Sequence, residues 1–191
     1  MARTKGFDTD TVLGQAMDAF WTHGYANTSP ARLAEVTGLN KSSLYNAFGS
    51  KRELFDQALA RYHRGALELT DKFLQRPGTA RECIGALFRY LTDNDVARQY
   101  PRGCLMVNTI TEFDGTDTEM ARVLHRMQER SMEMLADRIE QGRRDGDVRT
   151  DIDPRTTAEF LVNTLNGLRV TAKTHDAATL HRIIDTALAA L

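Results

Sequence analysis

The sequence predicts an all-α protein, and three observations carry that prediction. No run of alternating β-branched residues appears anywhere in its 191 residues. Apolar residues instead recur at helical spacing in about nine segments. Residues that start or stop helices stand at the joints: Ser29-Pro30, Asn40, Ser50 and Asp153-Pro154 at starts, Gly24, Gly38, Gly49 and Asp145-Gly146 at ends.

The bulk properties set limits. Length and a 41% hydrophobic content suffice for a sizeable core. The net charge of −1 neither favours nor excludes a nucleic-acid partner. Residues 1–52 hold six Lys/Arg against four Asp/Glu, a net of +2 that leaves −3 for the remainder. So weak an asymmetry excludes a non-specific DNA-architectural protein, which needs a far more basic surface. Two cysteines, 83 and 104, cannot build a disulfide framework, and no long apolar run follows Met1. The expectation is a cytoplasmic chain with reduced thiols and no membrane contact.

Taken in order, the first helix is expected over 9–23, with Val12, Ala16 and Phe20 on one stripe, Leu13 and Met17 beside it, and Gly24 as its stop. Ser29 then caps a helix of two turns that opens on Pro30 and buries Leu33, Ala34 and Val36. Thr37-Gly38-Leu39 turns the chain, with Gly38 free to take positive φ. Asn40 caps a third helix over 41–48, where only Leu44 and Phe48, four apart, need burial. Its other face carries Lys41, Ser42, Ser43, Tyr45 and Asn46. Ser50 and Glu53 form a capping box for a fourth helix over 51–74, with Leu54, Phe55, Ala58, Leu59 and Tyr62 inward. A short helix, a Gly turn and a second short helix with a polar outer face is a helix-turn-helix, whose second helix fits the major groove.

Beyond Arg76-Pro77-Gly78, helical patterns follow at 79–93, 102–112, 116–144, 154–174 and 176–190. Pro101-Arg-Gly, Asp114-Gly115 and Asp145-Gly146 separate them, and a C-terminal helical bundle results. The segment 145–154 holds four aspartates, but an EF-hand loop needs Gly at its sixth place and Glu at its twelfth. Here Gly146 is second and Thr156 twelfth, so a solvated loop with Asp153 as cap is the better reading. His63, His125, His175 and His181 are scattered, and no metal or cofactor is expected.

Gly24-Tyr25, Thr28, Leu33-Ala34, Thr37-Gly38-Leu39, Ser43-Leu44-Tyr45, Phe48-Gly49-Ser50-Lys51 and Leu54 together resemble the DNA-binding domain of the TetR/AcrR family of bacterial transcriptional regulators. The sharp match covers roughly the first 60 residues, and the remainder matches in helical layout and one short motif. The resemblance implies a DNA-reading domain over 1–52, the helix over 51–75 as connector, and an effector-binding and dimerisation domain over 53–191. It implies Thr28 as a phosphate contact, beside the plainer role of a capping hydroxyl with which it can coexist, and an Arg3/Lys5 arm, with a frayed basic terminus as the alternative. Lys41, Ser42 and Ser43 sit at the end nearest the groove, while the Tyr45 hydroxyl and Lys51 fall to phosphates. Asn46 departs from the aromatic or His common there. Its carboxamide suits bidentate pairing with adenine, and an exposed Asn without a base contact is the plainer alternative.

The function so implied is that of a homodimeric repressor, released from a palindromic operator on double-stranded DNA by a small-molecule effector. Leu161, Leu165 and Leu168, with Thr164 and Gly167 beside them, and Leu180, Ile184 and Leu188 look like the pair of helices that dimerises in the family. Packing within one chain uses the same residue types. The effector interior is expected between the fourth and seventh helices, at Tyr62, Phe88, Leu91, Met106, Phe113, Met120, Met127 and Met134. Ordinary core filling is the alternative for each of them. Cys104, expected in the first turn of a helix beside Arg102, has two features that favour a thiolate. Gly103-Cys104-Leu105 is similar to a motif in a subgroup that includes electrophile-sensing and metal-responsive repressors, and a buried structural Cys is the plain alternative. Cys83 reads as packing. A different class, an all-α small-molecule-binding protein or enzyme with an incidental helix-turn-helix, lacks a nucleophile–base pair, a phosphate loop or paired carboxylates. No enzyme is expected.

Overall fold

Asp8, Ser29, Asn40, Asp117, Asp153 and Asp176 each turn a side-chain oxygen onto the first free N–H groups of a helix, and these caps divide the chain. The computed structural model describes residues 7–113, 115 and 117–191, so Arg3 and Lys5 lie outside the described residues. Among the described residues the elements are α1 (Thr9–His23), α2 (Pro30–Thr37), α3 (Lys41–Phe48), α4 (Lys51–Leu74), α5 (Ala80–Val96), α6 (Leu105–Glu112), α7 (Thr118–Asp145), α8 (Pro154–Thr171) and α9 (Ala177–Leu188). Gly38 takes the left-handed conformation at φ 66°, and the Ser50/Glu53 box closes with both bonds made. A second capping box, Thr79 with Glu82, starts α5.

One start differs from expectation. The helix expected from 102 begins at Leu105, because Pro101 and Gly103, at φ 67°, interrupt helical backbone. Cys104 is therefore the N-cap, extended at φ −98° and ψ 125°, rather than a first-turn residue, and its side chain makes no capping bond.

Two apolar cores result. The first gathers Val12, Ala16, Phe20, Leu33, Leu44, Phe48, Leu54 and Phe55, and adds Leu105, Met106, Met120 and Leu124 from α6 and α7. Packing in this core runs on through α4, the expected connector, into α6 and α7. The second joins α5, α7, α8 and α9 through Ile84, Leu87, Phe88, Ile139, Leu161, Leu168, Leu180 and Ile184. Each fully buried Leu, Ile or Phe contributes about 1.5–3 kcal/mol relative to exposure. The long α4 runs between the two, packing on α1 at one end and on α5 and α7 at the other. No helix among the described residues is long and apolar enough to cross a membrane.

Candidate nucleic-acid interface and effector cavity

α3 owes its orientation to two side chains. Leu44 is wholly buried and Phe48 is nearly so, which leaves Lys41, Ser42 and Asn46 exposed on the opposite face and Ser43 half-exposed beside them. Asn40 caps the helix by accepting from Ser43 N–H at 2.8 Å, so the end bearing Lys41 and Ser42 is fixed. Tyr45 is half-buried, and its hydroxyl is covered with no hydrogen-bond partner among the described residues. Burial raises its pKa, with Tyr25 adding to the effect, so the phenol remains a donor. Lys51 stands at the N-terminus of α4 with its ammonium 4.3 Å from the centre of the Tyr25 ring.

Thr28 is not on this surface. Its side chain is fully buried and its hydroxyl donates to Gly24 O at 2.6 Å, so it ties off the end of α1. In this conformation its hydroxyl is out of a phosphate's reach, and Ser29 caps α2 as expected.

Behind the reading head lies a cavity of about 550 Å³ bounded by α1, α4, α5, α6, α7 and α8. Of the residues expected there, Tyr62, Leu91, Cys104 and Met106 line it. Five others do not. Phe113 stacks on Phe55 at 5.8 Å between ring centres, and Met120 and Met127 pack in the first core. Phe88 and Met134 belong to the second. The apolar walls come instead from residues such as Trp21, Leu69, Val107, Ile110, Leu135 and Val162.

The inner end of the cavity is polar. The Tyr62 hydroxyl donates to the Cys104 sulfur at 3.5 Å, and burial holds that phenol well above its ordinary pKa. Arg169, on α8, forms a buried ion pair with Asp95 on α5 and donates from Nη2 to Gly103 O at 2.9 Å. Gly103 O also accepts from Trp21 Nε1 at 3.0 Å, so one carbonyl joins α1 to α8. Arg102, the cation expected beside the thiol, is engaged elsewhere: it pairs with Asp18 at 2.9 Å and lies 4.0 Å over the Trp21 ring. Sequence reasoning missed Asp95 and Arg169. Each stands four residues beyond a stripe leucine, Leu91 and Leu165, and opposite charges in two apolar registers were a usable signal.

α6 spans from this cavity to the reading head. Met106, Val107 and Ile110 face the cavity, and Glu112 at the far end accepts Tyr25 N–H at 2.8 Å and Ala26 N–H at 2.6 Å. Gly24 makes room for that carboxylate: its φ is +80°, and a Cβ there would lie 2.9 Å from Glu112 Oε2. A second tie runs from Arg52 on α4 to Asp117, which caps α7.

The expected dimerisation set divides. Leu161, Leu168, Leu180, Ile184 and Leu188 are buried in the chain's own second core, and Leu165 lines the cavity. Thr164 and Gly167 do reach the outer face. There Phe160 and Val170 are each 49% exposed and Ile183 is 38% exposed. Among the described residues, no three His, Cys, Asp or Glu side chains are grouped so as to hold a metal ion.

Comparison with known proteins agrees with this geometry. The family described as "Bacterial regulatory proteins, tetR family" matches residues 12–58, and "Tetracyclin repressor-like, C-terminal domain" matches residues 78–188. The chain is 30% identical over 189 residues to the HTH-type transcriptional repressor ComR of Escherichia coli K12, covering 97% of this chain and 88% of that protein. It is 28% identical to the transcriptional regulator YezE of Bacillus subtilis 168, covering all of both chains. Among solved structures, a cysteine mutant of the TetR-family regulator CifR bound to a 26-bp double-strand operator DNA superposes with a TM-score of 0.86. That chain is 35% identical, with 98% of this chain and 99% of that one covered.

Proposed function

This chain belongs to the TetR family of bacterial regulatory proteins, and from that premise we propose how its parts divide the work. It is a dimeric transcriptional repressor rather than an enzyme, and its partner is double-stranded operator DNA. Lys41, Ser42, Ser43 and Asn46 enter the major groove, because they are what α3 leaves outward. Lys51 takes a phosphate by exchanging a ring face for an anion, and Tyr45 takes another once its side chain turns outward, where its covered hydroxyl, without an acceptor inside, gains one. The cytoplasm, where the DNA is, is its place.

The second copy seats on Phe160, Thr164, Gly167, Val170 and Ile183, the apolar and small residues that α8 and α9 keep outside their own core. The small-molecule effector occupies the cavity. One observation carries the mechanism: α6 forms a wall of that cavity and also holds the α1–α2 connection through Glu112. An occupant that shifts α6 turns the reading head relative to its twofold mate and changes the half-site spacing it fits. Selection of random duplex DNA by the purified protein tests the reading. A palindromic consensus supports it, and a folded dimer that enriches nothing contradicts it.

A second reading, a thiol signal at Cys104, is favoured by the sulfur's place in the cavity wall with Tyr62 donating to it. Alkylation of Cys104 that leaves operator affinity unchanged removes this reading and keeps the first.

A further inference from the structure

The charges around the cavity cancel, and the inner end offers hydrogen-bond donors. Arg169 lines the cavity, but its charge is neutralised behind the wall by Asp95, whose side chain is only 3% exposed. At the rim Arg61 pairs with Asp10, and Arg64 and Glu68 stand one helical turn apart with opposite signs. A carboxylate in this cavity would leave a buried pair with one uncompensated anion, and an ammonium would face the Arg169 guanidinium. The donors remain. Tyr62 spends its hydroxyl on sulfur, a weak acceptor that an oxygen outcompetes. Arg169 gives Nε and Nη2 to Asp95 and Gly103, which leaves Nη1 without a partner in the described residues.

We propose that the effector is an uncharged, largely apolar molecule carrying one hydrogen-bond acceptor, a ketone, ester or ether oxygen, seated against the Tyr62 hydroxyl and the Arg169 guanidinium. The proposal rests on the reading of this cavity as the effector site. Its volume of about 550 Å³ falls within the range of about 300–1,000 Å³ usual for small-molecule pockets. A charged relative of the same shape is rejected by the cost of burying an unbalanced ion. A hydrocarbon binds, but without the oxygen's share of the affinity.

The chain's single tryptophan, Trp21, lines the cavity and supplies the readout. Binding of cyclooctanone, cyclooctanecarboxylate, cyclooctylamine and cyclooctane to the full-length protein is followed by Trp21 fluorescence. The ketone is expected to bind at least about fivefold more tightly than the other three, the share of one hydrogen bond. Tyr62→Phe is expected to bring the ketone down toward the hydrocarbon's affinity and leave cyclooctane unchanged. A carboxylate or amine that binds as tightly as the ketone overturns the proposal. A ketone no better than cyclooctane also overturns it, while leaving the cavity as the effector site. If none of the four binds, this proposal and the cavity reading fall together.

Discussion

Glu112 accepts the backbone N–H of Tyr25 at 2.8 Å, although 87 residues separate them. The same carboxylate takes Ala26 N–H, so the last residue of α6 holds the connection between the first two helices of the reading head. Hydrogen bonds to a charged group contribute about 1.5–3 kcal/mol each. Glu112→Ala is expected to release both amides, and hydrogen exchange at Tyr25 and Ala26 should accelerate by roughly tenfold or more while the α7 and α8 core stays protected. Unchanged exchange at both amides would show that the carboxylate does not hold the connection.

Asp95 and Arg169 form a buried ion pair between α5 and α8. Removing one partner strands a buried charge, which costs about 3–5 kcal/mol, whereas replacing both with apolar residues of similar size is often neutral. Thermal unfolding should show Asp95→Leu strongly destabilised and the Asp95→Leu/Arg169→Met double variant recovering most of the loss. A double variant as unstable as the single one would mean that the pair's hydrogen bond to Gly103 O matters more than its charge balance.

Neighbouring isoleucines on α9 separate the two interfaces. Ile183 is 38% exposed and Ile184 is wholly buried. Ile183→Glu is expected to keep full helical content and sediment as a monomer with greatly weakened operator binding. Ile184→Glu is expected to fail to fold, because it buries an unpaired carboxylate. A dimeric Ile183→Glu protein would move the twofold contact elsewhere.

Protonation of His63 should loosen the seam between α4 and α7. Its Nε2 donates to Met127 O at 3.1 Å, and burial lowers its pKa below the ordinary 6.5. A depressed folded-state value means stability is complete above the unfolded pKa and declines as pH falls through and below about 6.5. His63→Gln should flatten the decline between neutral pH and the carboxylate range, as read by urea unfolding across pH. An equal slope in the variant would assign the decline to other groups.

The sequence made the local features legible. Ser29, Asn40 and the Ser50/Glu53 box are read within four residues of themselves, and all three caps form. The outward face of α3 followed from two apolar positions alone. What failed was the choice among faces. Helical spacing placed Leu161, Leu168 and Ile184 on an apolar stripe, but the same stripe serves an internal core or a partner, and here it serves the core. The methionines illustrate the same limit: a flexible thioether fills core gaps as readily as pocket walls, so Met106 lines the cavity while Met120 and Met127 pack beside it. Thr28 was misplaced because its acceptor, Gly24 O, exists only after α1 ends where it does. Asp95 and Arg169 each stood out as a charge in an apolar register, but the two lie 74 residues apart, so no local pattern paired them.

The central claim is that filling the cavity alters DNA binding through α6 and Glu112. Operator affinity of the Leu165→Trp protein, measured by fluorescence anisotropy on the selected site, tests it without knowledge of the effector, because Leu165 faces the cavity from α8. An indole there should mimic an occupant and weaken the operator by roughly tenfold or more, within the usual range of coupling energies. Adding Glu112→Ala should erase most of that difference. A folded, dimeric Leu165→Trp protein that binds the operator as the parent does would contradict the account.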